Sequence, residues 1–185
     1  MENPKTLYRG RYLSLLELDR WEFASRSNAS GVVVLIAVTE EQELVLVEQY
    51  RVPVKSDVIE LPAGLVGDTG NREENVETAA RRELLEETGF TAREFQVLMS
   101  CPSSAGMCDE VITFVRATGL ERVGSGGGDS SENITVHLVP LSRVSAWVHA
   151  RGREGTPADP KIFSALFWLL NPEGGSSAGT TVRQA

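Results

Sequence analysis

The chain has 185 residues, the length of one domain with an appendage, and its 41% hydrophobic and 24% charged content fits a globular fold with its own core. Lys and Arg number 18 against 26 Asp and Glu, a net charge of −8, which argues against nucleic acid as a partner because backbone phosphates are held by basic surfaces. No apolar run reaches the ~18 residues that a membrane span needs, so no membrane role is expected. A small anionic substrate stays open, since a local cation can reverse the field in one cleft.

Residues 1–12 hold no apolar stretch between a basic end and a small-residue cleavage site, so no signal peptide is expected. Residues 1–30 read as a β-rich lead-in: Tyr12 to Leu18 alternates in part, and Trp21-Glu22-Phe23 restarts the pattern. Ser25 to Gly31 is a turn cluster. Val32 to Val38 is continuous and β-branched, as in a strand buried on both faces. Leu44 to Arg51 is a second strand, and the two read as a hairpin.

Val58 to Leu61 is a brief strand stopped by Pro62, and a Gly- and Asp-rich loop is expected from Ala63 to about Arg72. Glu73 to Thr88 is rich in helix formers and stops at Gly89. Phe95 to Met99 and Val111 to Ala117 read as strands around a loop, Cys101 to Glu110. Gly124 to Ser131 has the composition of a flexible connector. Ile134 to Val139 is another strand, and Leu141 to Ala150 and Lys161 to Leu170 read as helices. The division is a β segment over 1–30, a main domain over 31–171 and a flexible tail over 172–185. The expected class is α/β, a mixed sheet with helices on both faces. Cys101 and Cys108 are too few and too isolated for a disulfide framework or a zinc site; two reduced thiols in a cytoplasmic protein is the simpler reading.

The informative segment is Arg82-Glu83-Leu84-Leu85-Glu86-Glu87-Thr88-Gly89-Phe90. On a helix Glu83, Glu86 and Glu87 share one face at i, i+3 and i+4, where like charges destabilise by a few tenths of a kcal/mol per pair. A divalent cation offsets such crowding, and hard oxygens at this density suit Mg²⁺ or Mn²⁺. Leu84 and Leu85 flank the face, and Val76 and Ala79 lie on it, so the stripe reads as held against the fold. A solvated acidic face is the plainer reading of such a triplet taken alone.

Context decides between them. From Glu60-Leu61-Pro62-Ala63-Gly64 through Phe90 the chain resembles the Nudix hydrolase signature: a Gly, five residues, a Glu, seven residues, then R-E-U-x-E-E-x-G-U, where U is aliphatic or aromatic. Glu74 to Phe90 matches without a gap. Upstream, nine residues rather than five separate Gly64 from Glu74, which reads as an enlarged loop, although strict counting puts Asp68 at the Gly position. Val47-Glu48-Gln49-Tyr50-Arg51, Glu60 to Gly64 and Pro102 to Glu110 are similar to the ADP-ribose pyrophosphatase branch, as is the stretch from Asp159 to Leu169.

The resemblance implies a Nudix α/β/α sandwich that uses Mg²⁺ or Mn²⁺. It implies Glu83, Glu86 and Glu87, with the Ala63 carbonyl, as metal ligands. Glu86 and Arg82 join the catalytic set, Arg82 by orienting a glutamate; Glu74 is structural, Gly89 ends the helix and Gly64 allows a tight turn. Glu132 is the implied base or further ligand, with Asp129 and Glu110 as alternatives. Arg51, Glu60 and Trp21 form the implied substrate-binding set: Arg51 would meet diphosphate or ribose, or pair with Glu60. Trp21 would stack a base or serve as packing. The implied activity is hydrolysis of the diphosphate of ADP-ribose or a related nucleoside diphosphate to AMP and ribose 5-phosphate, by a homodimer. Nucleotide sugars, dinucleotides or nucleoside triphosphates are alternative substrates, and a non-catalytic ADP-ribose sensor is the alternative of another class. His137 and His149 carry no assigned role.

Overall fold

A computed structural model describes residues 3–68, 70, 73–128 and 132–171. In chain order the strands are β1 (Lys5–Arg9), β2 (Leu13–Leu18), β3 (Trp21–Arg26), β4 (Gly31–Ala37), β5 (Glu43–Arg51), β6 (Ser56–Glu60) and β7 (Ala63–Val66). Helix α1 (Val76–Thr88) follows, then β8 (Phe90–Pro102), β9 (Val111–Arg122) and β10 (Thr135–Pro140). A short 3-10 turn (Leu141–Arg143) leads into α2 (Val144–Arg153), and α3 (Lys161–Leu170) closes the described chain.

The β-branched run behaves as expected. In β4, Val33 through Ala37 are fully buried. Alternation then splits them between two cores. Val33, Leu35 and Ala37 pack with Val45, Ala79, Ala80 and Leu84 on the α1 side. Val34 and Ile36 pack with Leu46, Ile59, Val144 and Ile162 on the side of α2 and α3. The α/β/α sandwich with a mixed sheet is the observed fold.

The expected hairpin does not form. Strand β4 pairs antiparallel with β7 and parallel with β9, in the order β7-β4-β9-β8, so both its edges are taken. Strand β5 instead sits between β10 and β6 in a second sheet. The two runs touch at one bridge, Val38 to Leu44, and then part. The chain crosses back at Leu61-Pro62, where the Pro62 carbonyl accepts from the Leu35 N–H at 2.8 Å. Proline interrupts the strand there without ending extended structure, and Ala63 to Val66, expected as loop, becomes β7 on the free edge of β4.

Asn75 caps α1, its Oδ1 accepting from the Thr78 N–H at 2.8 Å, so the helix begins at Val76 and not Glu73. Gly89 ends it at φ 72°. On the outer side of β6, the Ile59 N–H donates to the Pro157 carbonyl (2.9 Å) and the Asp159 N–H donates to the Ile59 carbonyl (2.8 Å).

Strands β1, β2 and β3 form a separate sheet. It is tied to the loop before β9: the Ala24 N–H donates to the Met107 carbonyl (2.8 Å), and Arg26 pairs with Glu110 (2.9 Å). Among the described residues no helix is long and apolar enough to cross a membrane. The expected tail, 172–185, lies outside the described residues.

Candidate metal and phosphate site

The last two turns of α1 lie against β7. Glu83 and Glu87, four residues apart, are 8% and 2% exposed, whereas the side chain of Glu86 is 47% exposed. The acidic face is therefore two buried carboxylates with a third on the rim. Leu84 is buried beneath it, and Leu85 turns 43% of its surface outward. The Ala63 N–H donates to Glu87 Oε2 at 3.0 Å.

Gly64 is needed for a different reason from the expected tight turn. It lies within β7, and a Cβ there would sit 1.8 Å from Glu83 Cδ, inside the carboxylate. The backbone must be bare for Glu83 to reach the strand. Gly64→Ala should therefore cost about 1–3 kcal/mol in urea unfolding. A variant as stable as the parent would mean that Glu83 does not occupy that place.

Arg82 gathers the acids. Its Nη1 donates to Glu83 Oε1 (2.6 Å) and Glu86 Oε2 (3.3 Å), and its Nε to Glu74 Oε1 (3.2 Å). Its Nη2 donates to the Leu65 carbonyl (2.9 Å) and to Asp68 (3.3 Å). Glu74 also accepts from the Gly67 N–H at 2.8 Å. The enlarged loop is thus fastened at its base, with Gly67 and Asp68 on one side and Glu74 on the other. Burial works to raise the Glu74 carboxyl, but Arg82 and the Gly67 N–H hold it below its ordinary value. Burial likewise works to lower the Arg82 guanidinium, and Glu74 and Glu83 push it above its ordinary range.

The floor of the site is electrostatically uncomfortable. Burial drives Glu83 up to about 7 against the pull of Arg82, with Glu86 and Asp68 adding to the rise. Burial raises Glu87 well above the ordinary carboxylate range; the Ala63 N–H and Arg51 oppose this, while Glu83 and Glu132 reinforce it. A carboxyl whose folded value lies above its unfolded one opposes folding increasingly as pH rises from the unfolded value, and in full above the folded one. Without divalent ions, Glu83→Gln should raise the melting temperature relative to the parent at pH 8. That gain should shrink as pH falls through about 7 toward 5. A gain that grew on acidification would reverse the assignment.

Of the other expected residues, Arg51 and Glu132 reach this floor. Arg51 and Glu60 form an ion pair, Nε to Oε2 at 2.7 Å, and Arg51 lies near enough to act on Glu87. Glu132 acts on Glu87 as well, and its carboxylate lies beside Gly128, where a Cβ would come 2.6 Å from its Oε2. Glu110 is engaged by Arg26. Trp21 opens β3 in the N-terminal sheet and is 64% exposed. Asp129 lies outside the described residues.

Two buried carboxylates and a rim carboxylate are hard-oxygen donors, and the raised affinity of Glu83 and Glu87 for protons marks a place where positive charge is wanted. The donor set fits Mg²⁺ or Mn²⁺. As they stand, with Arg82 bridging Glu83 and Glu86, no three His, Cys, Asp or Glu side chains among the described residues are gathered closely enough to hold an ion.

Two features escaped the sequence reading. His137 Nε2 lies 2.7 Å from Glu48 Oε2, and Arg151 donates to Glu48 Oε1 at 2.7 Å. Val45 packs on the α1 side and Leu46 on the side of α2, so alternation turns Glu48 toward α2 with Leu46, and this trio is no part of the acidic floor. Alternation along β5 carried the signal. The second is Gly124 to Gly128, expected to be flexible and instead hydrogen-bonded to the end of α1: the Gly124 N–H donates to the Gly89 carbonyl (3.0 Å) and the Gly127 N–H to the Glu87 carbonyl (2.9 Å).

Comparison with known proteins places these observations. Residues 29–159 match a family model described as NUDIX domain. The chain is 37% identical over 112 residues to the methanol dehydrogenase activator of Bacillus methanolicus, covering 60% of this chain and 58% of that protein. It is 37% identical over 82 residues to the ADP-ribose pyrophosphatase of Bacillus subtilis, covering 44% and 42%. With the GDP-mannose pyrophosphatase of Citrobacter koseri it shares 31% over 148 residues, 76% of this chain and 73% of that one. The chain thus spans about half the length of the first two relatives. A crystal structure of an ADP compounds hydrolase superposes with a TM-score of 0.70 at 22% identity, covering 95% of this chain and 94% of its own, which shows a shared fold.

Proposed function

The chain belongs to the NUDIX domain family, and from that premise we propose that it hydrolyses the diphosphate bond of ADP-ribose or a related nucleoside diphosphate derivative, giving AMP and ribose 5-phosphate. The observation that carries this is the buried pair Glu83 and Glu87, set against the bare backbone of Gly64 and the N–H of Ala63. Burying two carboxylates together costs stability, and a fold that does so gains from cations. Divalent Mg²⁺ or Mn²⁺, when bound, supplies the positive field that a diphosphate needs before water can approach its phosphorus.

The chain's own residues do the rest. Glu83, Glu87 and Glu86, with the Ala63 carbonyl, hold the cations. Arg82 orients Glu83 and Glu86 through its fork. Glu132 takes the proton of the attacking water. Arg51, steadied by Glu60, meets a phosphate or ribose oxygen. Trp21 stacks the base. The division into a β segment over 1–30 and a hydrolase domain over 31–171 belongs to this reading, as do the homodimer built on that segment and the cytoplasmic location.

The relative with 73% of its length covered acts on GDP-mannose, which favours nucleotide sugars as the second reading. The same chemistry would serve both. The test is a panel of ADP-ribose, GDP-mannose, UDP-glucose, NADH, diadenosine polyphosphates and nucleoside triphosphates with Mg²⁺. AMP release from ADP-ribose well above the rest supports the first reading, and GMP release from GDP-mannose the second. Trace activity on all, with tight ADP-ribose binding, would make the chain a sensor.

A further inference from the structure

Helix α1 ends with carbonyls that have no partner inside the helix. A glycine segment meets them. The Gly89 N–H closes on Leu85, the Gly127 N–H donates to the Glu87 carbonyl at 2.9 Å and the Gly128 N–H to the Glu86 carbonyl at 3.0 Å. The carbonyl of Gly127 then accepts from the Ile134 N–H at 3.1 Å, and Ile134 is 7% exposed. One residue is thereby pinned to the acidic helix through its nitrogen and to the entry of β10 through its oxygen.

Only glycine can build this. Gly126, Gly127 and Gly128 all have positive φ, at 68°, 114° and 81°. A Cβ on Gly126 would lie 2.4 Å from the Thr88 carbonyl carbon and 2.6 Å from the Glu87 oxygen, both backbone atoms that cannot turn aside. A Cβ on Gly128 would meet Glu132 instead, 2.6 Å from Oε2 and 2.7 Å from its Cβ. The same three residues therefore grip the helix that carries Glu86 and Glu87 on one side and lie against Glu132 on the other.

We propose that Gly126, Gly127 and Gly128 are positioning residues: a docked backbone strap that registers the Glu132 carboxylate against the cation-holding end of α1. This rests on the hydrolase reading above and adds to it the device that brings a distant glutamate into place. Loose, the segment would let Glu132 range over many positions, and misplacing a reacting group by about 1 Å can cost a hundredfold in rate.

A double-mutant cycle tests it, because coupled groups are non-additive. Glu132→Gln should lower kcat about a hundredfold. Gly126→Ala should lower it at least about tenfold, and Gly127→Ala, whose Cβ meets only the Ile134 oxygen at 3.9 Å, should do so by strain with less risk to folding. In a Glu132→Gln background both glycine changes should alter kcat less than about twofold. Gly155→Ala introduces the same kind of strain at φ 100° with nothing within 4 Å, and should leave kcat unchanged. The cycle is read again in Mn²⁺ affinity without substrate, where Glu132→Gln or Gly126→Ala alone weakens binding about threefold and the pair no further. Additive losses in either cycle, or a folded Gly126→Ala protein with parental kcat, overturn the strap. A parent that binds Mn²⁺, shows the non-additive affinity cycle and cleaves no diphosphate overturns the hydrolase reading alone.

Discussion

Glu87→Gln should leave the protein folded and lower turnover roughly a thousandfold, equivalent to about 4 kcal/mol at the barrier. The amide keeps an oxygen for the Ala63 N–H, so the 3.0 Å contact with β7 survives. What goes is a negative charge on a side chain that is 2% exposed. Because burial already disfavours that charge, the variant should unfold at or above the parent's temperature when no divalent ion is present. Added Mg²⁺ should raise the parent's melting temperature more than the variant's. Parental kcat in the variant would remove Glu87 from the machinery.

Arg82→Ala is expected to do its damage to the fold. One guanidinium serves Glu74, Glu83, Glu86, Asp68 and the Leu65 carbonyl, and the side chain of Glu74 is only 4% exposed. Removing it leaves buried carboxylates without a counter-charge, a loss of about 3–5 kcal/mol. Arg82→Lys should recover less than half, because an ammonium cannot span Glu74 on one side and Glu83 on the other. Urea midpoints for the three proteins decide it. A lysine variant within about 0.5 kcal/mol of the parent would show that charge matters and the fork does not.

Local patterns were legible where one residue type had one physical use. The β-branched run of β4 could only be a strand buried twice, and Gly89 could only stop a helix. The acidic stripe was legible as spacing, though not as burial: nothing in Glu83-Leu84-Leu85-Glu86-Glu87 says that two glutamates go under and one stays on the rim. That depends on β7, which the sequence hid behind Pro62. Pairing was the least legible level. The neighbouring runs 32–38 and 44–51 suggest a hairpin because contiguity favours it, yet the partners of β4 lie at 63–66 and 111–122, and their claim on its edges cannot be read locally. The glycine run misled for a related reason. Composition records the freedom of a chain before it docks, and positive φ angles held by backbone bonds use that freedom once.

The pairing of Pro157 and Asp159 with Ile59 reaches beyond the site. Strand β6 would otherwise present open amides and carbonyls at the rim of its sheet, beside Glu60 and within a few residues of Ala63. Bare rims of this kind recruit strands from other molecules. Truncation before Pro157 should therefore do more than remove α3: the shortened chain should self-associate through β6 more than the parent does, with light scattering rising before the acidic helix melts.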